Sequence, residues 1–154
     1  MLLRHAQTDP GVGDPPGWRL GDCASQRNLS AAGRAQAAAI GVLFRQHRLR
    51  PRAVRSSPWC RCIDTAQLAF GRAEPWPALA SFFDDRSTEP AQTSSLLDAL
   101  ARAPAGGFEV WVTHMVNIVA LSGESVAMGE GLVVSLAGGR IHNRARLKPP
   151  PGPT

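Results

Sequence analysis

Apolar positions along this chain fall either at helical spacing or in short buried runs, and the change from one to the other marks out the elements. Leu2 and Leu3 predict the end of a strand, and Asp9 to Gly21, with its glycines, prolines and Trp18, predicts an irregular loop beside Arg4 and His5. In NLSAAGRAQAAAIGVLFRQHRL, Ser30 offers an N-cap and Ile40, Leu43, Phe44 and His47 recur at helical spacing, predicting an amphipathic helix over Ala31 to Leu49. His47, at its end, reads as a solvated or dipole-compensating residue. RAVRSSPWCRCIDTAQLAFG predicts a strand over Ala53 to Ser56, a cap at Ser57, proline at the first helical position and a helix ending at Gly71. Arg61 then falls in the first helical turn.

PALASFFDD predicts a short strand running into an acidic loop, and Pro90 opens a helix whose Leu96, Leu97 and Leu100 face the core. FEVWVTH alternates too little to be half exposed, so it predicts a buried strand with His114 at its C-terminal end, followed by a helical MVNIVAL. GLVVSLAGGRIHNRARL predicts two strands around an Ala-Gly-Gly turn. Strand and helix alternate along most of the chain, which predicts an α/β three-layer sandwich with a largely parallel central sheet. We expect one domain over residues 1–147 and a disordered, proline-rich tail over 148–154.

Composition fits this picture: 154 residues suit one core, and 44% hydrophobic with 19% charged residues is a globular balance. No apolar run approaches the ~20 residues of a membrane span. The formal charge of +5 comes almost wholly from arginine, since Lys148 is the one lysine, and guanidinium groups suit bidentate binding of phosphate or carboxylate. The arginines are scattered and not interleaved with aromatics, which argues against a nucleic-acid surface. Cys23, Cys60 and Cys62 lack the spacing of a zinc site. They allow one disulfide, from Cys23 to Cys60 or to Cys62, with one free thiol, or three buried thiols. No signal peptide is encoded, so the chain as given reads as cytoplasmic. The first strand looks short for a core strand, however, and we expect an upstream apolar extension; an export signal before it would make the protein periplasmic.

In parallel sheets, ligands sit outside the carboxyl ends of the strands. Three segments deliver polar groups there: Arg4 and His5 after the first strand, Ser56 to Arg61 after the second, and His114 after the later buried strand. Two arginines and two histidines in one crevice repel each other unless they share an anion, and a phosphoryl group satisfies all four. An imidazole beside arginine is biased toward its neutral, nucleophilic form, so His5 is the candidate to attack phosphorus. Thr8 and Ser57 are candidate further donors to the phosphate.

These residues carry a resemblance. LLRHAQT resembles the RHG/RHA signature of the histidine phosphatase superfamily, the phosphoglycerate mutase-like group. NLSAAGRAQAAAIG resembles its LSxxGxxQA helix, SSPWCRCIDTA its SSPxxRxxxTA segment, and VTH the strand carrying its second histidine. Order and spacing agree from Leu2 to about Leu136, and the layout resembles the compact bacterial type that lacks a cap insertion. The resemblance implies that His5 is phosphorylated, that Arg4, Arg61 and His114 hold the phosphate, and that neither metal nor organic cofactor takes part. It implies a small phosphorylated substrate or a phosphoprotein as partner. The proton donor departs from one branch of the family, because Met115 stands where acid phosphatases place an aspartate after the second histidine. The mutase branch places a carboxylate after the middle strand, and there SFFDDR supplies Asp84, our first candidate, and Asp85, our second; Asp22 is a third. A phosphatase working through phosphohistidine is the leading expectation. A mutase and a phosphate-binding protein without turnover are the alternatives.

Overall fold

The computed structural model describes residues 1–149; the tail expected from 148 onward lies, from residue 150, outside the described residues. Six strands form one sheet: β1 (Leu2–Arg4), β2 (Ala53–Ser56), β3 (Glu74–Pro75), β4 (Glu109–Thr113), β5 (Gly131–Ala137) and β6 (Arg140–Leu147). Their order is β3-β2-β4-β1-β5-β6. The first four are parallel, and β5 joins β1 antiparallel before turning through Gly138 and Gly139 into β6. Four helices cover the sheet: α1 (Ala31–Gln46), α2 (Cys60–Phe70), α3 (Glu89–Ala101) and α4 (Met115–Ser122). The protein is an α/β sandwich with a largely parallel central sheet, as expected.

The central strands β1, β2 and β4 are covered on both faces, and their side chains alternate between two cores. Leu3, Val54, Val110 and Val112 point to one side, where they meet Ile40 and Phe44 of α1 and Cys62, Ala66 and Ala69 of α2. Leu2, Trp111 and Leu132 point to the other, against Leu96 of α3 and Ile118 and Leu121 of α4. The α1–α2 contact is close because Gly41 carries no side chain: a Cβ there would sit 2.2 Å from the Ala69 carbonyl oxygen.

Three boundaries differ from the expectation. α1 ends at Gln46, not Leu49, because Arg48 takes the left-handed φ of 54° and the Leu49 N–H returns to the Phe44 carbonyl. α2 begins at Cys60 with Trp59 in the capping position, and the Ser57 hydroxyl accepts the Trp59 N–H at 3.2 Å while it also meets His114. PALASFF is not a strand: Pro77–Leu79 is a 3-10 turn, and the edge strand is Glu74–Pro75, paired with Arg55 and Ser56. Its apolar signal is genuine, since Ala78, Leu79 and Phe82 are buried. Side chains take the backbone acceptors that a ladder would use. Gln92 donates to the Ala78 and Ala80 carbonyls, and Asn117 donates to Ala80.

Candidate active site

The carboxyl ends of β1, β2 and β4 share one edge of the sheet, and the chain leaves each of them carrying a polar side chain. Parallel pairing continues one residue past β1, where the His5 N–H donates to the Thr113 carbonyl at 3.0 Å. The loop after it is clamped from three sides. The Ala6 N–H donates to Thr65 Oγ1 of α2 at 3.0 Å, and the Ser30 N–H donates to the Gln7 carbonyl at 3.1 Å. The first turn of α1 lies directly on this loop, because a Cβ on Gly33 would fall 1.8 Å from the Gln7 carbonyl oxygen. The glycine of the LSxxG segment is therefore what lets α1 hold the histidine loop in place.

His5 is 3% exposed, and its Nδ1 lies 2.9 Å from the Ala6 carbonyl oxygen. A carbonyl only accepts, so Nδ1 carries the proton and the Nε2 lone pair is left facing away. Burial pushes the imidazole pKa down to about 3, and the charges of Arg61, Arg4 and Arg27 push the same way, so the ring is neutral. Burial, more than the neighbouring arginine invoked from the sequence, is the larger cause. His114 stands 5.5 Å away, ring centroid to ring centroid. It too is held well below its ordinary pKa, first by burial and then by His5 and the arginines. Its Nε2 is 2.7 Å from Ser57 Oγ, and its Nδ1 is 3.4 Å from Arg61 Nη2. An arginine only donates, so Nδ1 accepts there and Nε2–H donates to Ser57.

Arg61 enters from the first turn of α2 and is 4% exposed. Its Nη1 donates to Asp14 Oδ1 at 2.8 Å, and both side chains of this pair are only 4% exposed. Asp14 also accepts from Trp59 Nε1 at 3.0 Å and from the Arg27 N–H at 2.9 Å. Burial works against its charge, but those hydrogen bonds and the Arg61 guanidinium outweigh it and hold the carboxyl below its usual range. Arg4 donates from Nη1 to the Val126 carbonyl at 3.0 Å, and Arg27 donates from Nη1 to the Gly11 carbonyl. In all three arginines Nε is buried with no partner among the described residues. Three guanidinium charges less the Asp14 carboxylate leave a net charge of about +2 beside two neutral imidazoles, which is complementary to a phosphate dianion.

Of the residues singled out from the sequence, Arg4, His5, Arg61, His114 and Asp84 line one crevice of about 350 Å³. Asp84 is exposed at its mouth. Asp85 points elsewhere: its Oδ1 accepts the Ser87 N–H at 3.0 Å and caps the 3-10 turn Arg86–Thr88. Asp22 pairs with Arg19 on the surface. Thr8 turns its hydroxyl toward Met128 Sδ, and the Ser57 hydroxyl is spent on His114; neither lines the crevice. Sequence reasoning missed Asp14 and Arg27, both of which do line it. Arg27 had a signal, since it immediately precedes the NLS that opens α1, whereas Asp14 sits among glycines and prolines with none. The cysteines resolve as a Cys23–Cys60 disulfide and a buried Cys62 thiol. The disulfide ties the loop carrying Asp14 and Arg27 to the first residue of α2, next to Arg61.

The comparisons with known proteins agree with this architecture. A model of the histidine phosphatase superfamily (branch 1) matches residues 1–82. No curated protein matches the sequence. Among solved structures, the fold is similar to a putative phosphohistidine phosphatase SixA from Agrobacterium tumefaciens, with 24% identity over 96% of each chain and a TM-score of 0.63. The protein histidine phosphatase SixA complexed with tungstate is 15% identical over 96% of this chain and 95% of that one, with a TM-score of 0.65. A mycobacterial glucosyl-3-phosphoglycerate phosphatase complexed with VO3 is 18% identical over 93% of this chain and 95% of that one, with a TM-score of 0.68. At these identities the likeness is one of fold.

Proposed function

We propose, starting from the fact that this chain belongs to the histidine phosphatase superfamily (branch 1), that it hydrolyses phosphate monoesters or phosphohistidine through a phosphohistidine on His5. The observation that carries the reading is the state of His5. Its ring is neutral, its Nδ1 proton is fixed on the Ala6 carbonyl, and its Nε2 lone pair is free beside three arginines with unpartnered Nε atoms. Arg4, Arg27 and Arg61 bind the non-bridging oxygens and stabilise charge on them as Nε2 bonds to phosphorus. When Arg61 Nη2 leaves His114 Nδ1 for a phosphoryl oxygen, the Ser57 hydroxyl can turn to donate to Nε2, and the proton moved to Nδ1 is then available to the same phosphoryl group. Asp84, at the mouth, protonates the departing oxygen and then takes a proton from the water that attacks the phosphohistidine, which restores His5 and releases inorganic phosphate.

The test is phosphate release from p-nitrophenyl phosphate by the protein and by Arg61→Ala. Losing a charge-assisted donor from a buried anion site lowers kcat/KM on the order of 100- to 1000-fold. Turnover that survives the substitution within about threefold overturns the assignment of the pocket.

A further inference from the structure

The crevice has a charged floor and an apolar mouth. Val12 and Phe83 are 87% and 53% exposed, and both line it. They come from two segments in contact, because a Cβ on Gly13 would lie 3.6 Å from the Phe83 ring. Met115 and Val116, the first residues of α4, and Met128 complete the collar. Exposed apolar side chains gathered around a functional crevice are a site for something that covers them. Arg61 and Arg4 are held on Asp14 and on the Val126 carbonyl, and Arg27 on the Gly11 carbonyl next to Val12. Asp84 is exposed at the mouth, and Arg86, two residues on, is engaged by Glu89.

We infer that this mouth selects phosphate monoesters whose alcohol is uncharged and apolar, and disfavours esters that carry a second anionic group. The inference rests on the phosphatase reading and adds the substrate class to it. A phosphate on the arginine floor projects its ester substituent between Val12, Phe83 and Met115, where apolar surface leaves water on both partners. A polyhydroxylated substituent would give up water for the hydroxyl of Ser81 and the carboxylate of Asp84 and little else. A carboxylate or second phosphate in the same place would give up its water against the apolar side chains of Val12, Phe83 and Met115.

The experiment compares kcat/KM for n-hexyl phosphate, glycerol 1-phosphate and 3-phosphoglycerate, all esters of primary alcohols, with p-nitrophenyl phosphate as a reference. We expect hexyl phosphate to lead glycerol phosphate by roughly tenfold or more, with phosphoglycerate lowest. Phe83→Ser should cut the hexyl-to-glycerol ratio by roughly tenfold, and because the ring is half exposed the variant should fold. Turnover with glycerol phosphate or phosphoglycerate preferred, or a ratio unmoved by Phe83→Ser, overturns the inference and leaves the phosphatase reading standing. Absence of turnover on all four esters and on phosphohistidine overturns both.

Discussion

Removing the Cys23–Cys60 cross-link tests how the crevice is held together. The bond, at a sequence separation of 37, closes a segment that contains the first 3-10 turn, all of α1 and β2. If it acts by restricting the unfolded chain, a loop of that length contributes about 3.8 kcal/mol at 25 °C. That is a large share of the ~5 to 15 kcal/mol by which domains of this kind are stable. Cys60 is 5% exposed and sits in a small apolar space, so Cys23→Ala/Cys60→Ala removes the bond without burying a new polar group. Urea unfolding followed by tryptophan fluorescence should then show a midpoint lower by about 2 M, for an m-value near 2 kcal/mol/M. The closed segment carries Arg27, whose N–H meets Asp14 upstream of Cys23, and its far end adjoins Arg61, so inhibition by vanadate should weaken in the folded variant. A loss of stability under about 1 kcal/mol with unchanged vanadate inhibition would refute the claim that the cross-link organises the site.

Other expectations follow from single contacts. Gly33→Ala forces a Cβ onto the Gln7 carbonyl and should cost about 3 kcal/mol or more, read as a fall in Tm; an unchanged Tm would show that α1 can retreat from the loop. Asp14→Asn removes the negative charge among three arginines, so added phosphate should raise Tm more in the variant than in the parent; an equal or smaller rise would mean that Asp14 does not balance the floor. His5 and His114 stay neutral when folded but protonate near 6.5 when unfolded, so the unfolded chain binds more protons below that pH. The histidine contribution to stability should therefore be level above pH 6.5 and fall as pH drops from 6.5 toward 3, by up to about 1.4 kcal/mol per pH unit per histidine, and His114→Gln should flatten the slope. Asp84→Asn should slow turnover of alkyl phosphates much more than of p-nitrophenyl phosphate, whose leaving oxygen needs no proton; equal losses would make Asp84 a bystander to proton transfer.

The parts of this molecule that were legible in the sequence are those whose causes are local. Leu2, Leu3 and the FEVWVT run announce strands buried on both faces, and Ser30 announces a helix start that its hydroxyl fulfils by accepting from the Gly33 N–H. The end of each of these strands then places Arg4, His5 and His114 at one edge without further information. What escaped is long-range. Asp14 earns its position through Arg61 and Trp59, 47 and 45 residues away, and nothing in GVGDPP signals either contact. PALASFF predicts a strand that does not form, because burial under α3 leaves the same apolar trace as burial in a sheet, and the Gln92 and Asn117 side chains that replace the ladder lie far along the chain. The choice between Asp84 and Asp85 was equally invisible, since it depends on which of two adjacent carboxylates caps the turn that follows.

The central claim is that His5 Nε2 forms a bond to phosphorus. The direct measurement is brief exposure to a phosphorylated substrate, an acid-free quench, and mapping of the modified peptide by mass spectrometry. One phosphate is expected on His5, labile to acid and stable to alkali, formed and lost within the turnover time and absent from His5→Ala. Turnover with no phosphohistidine detectable under conditions that trap it, or a phosphate that persists in His5→Ala, would contradict it.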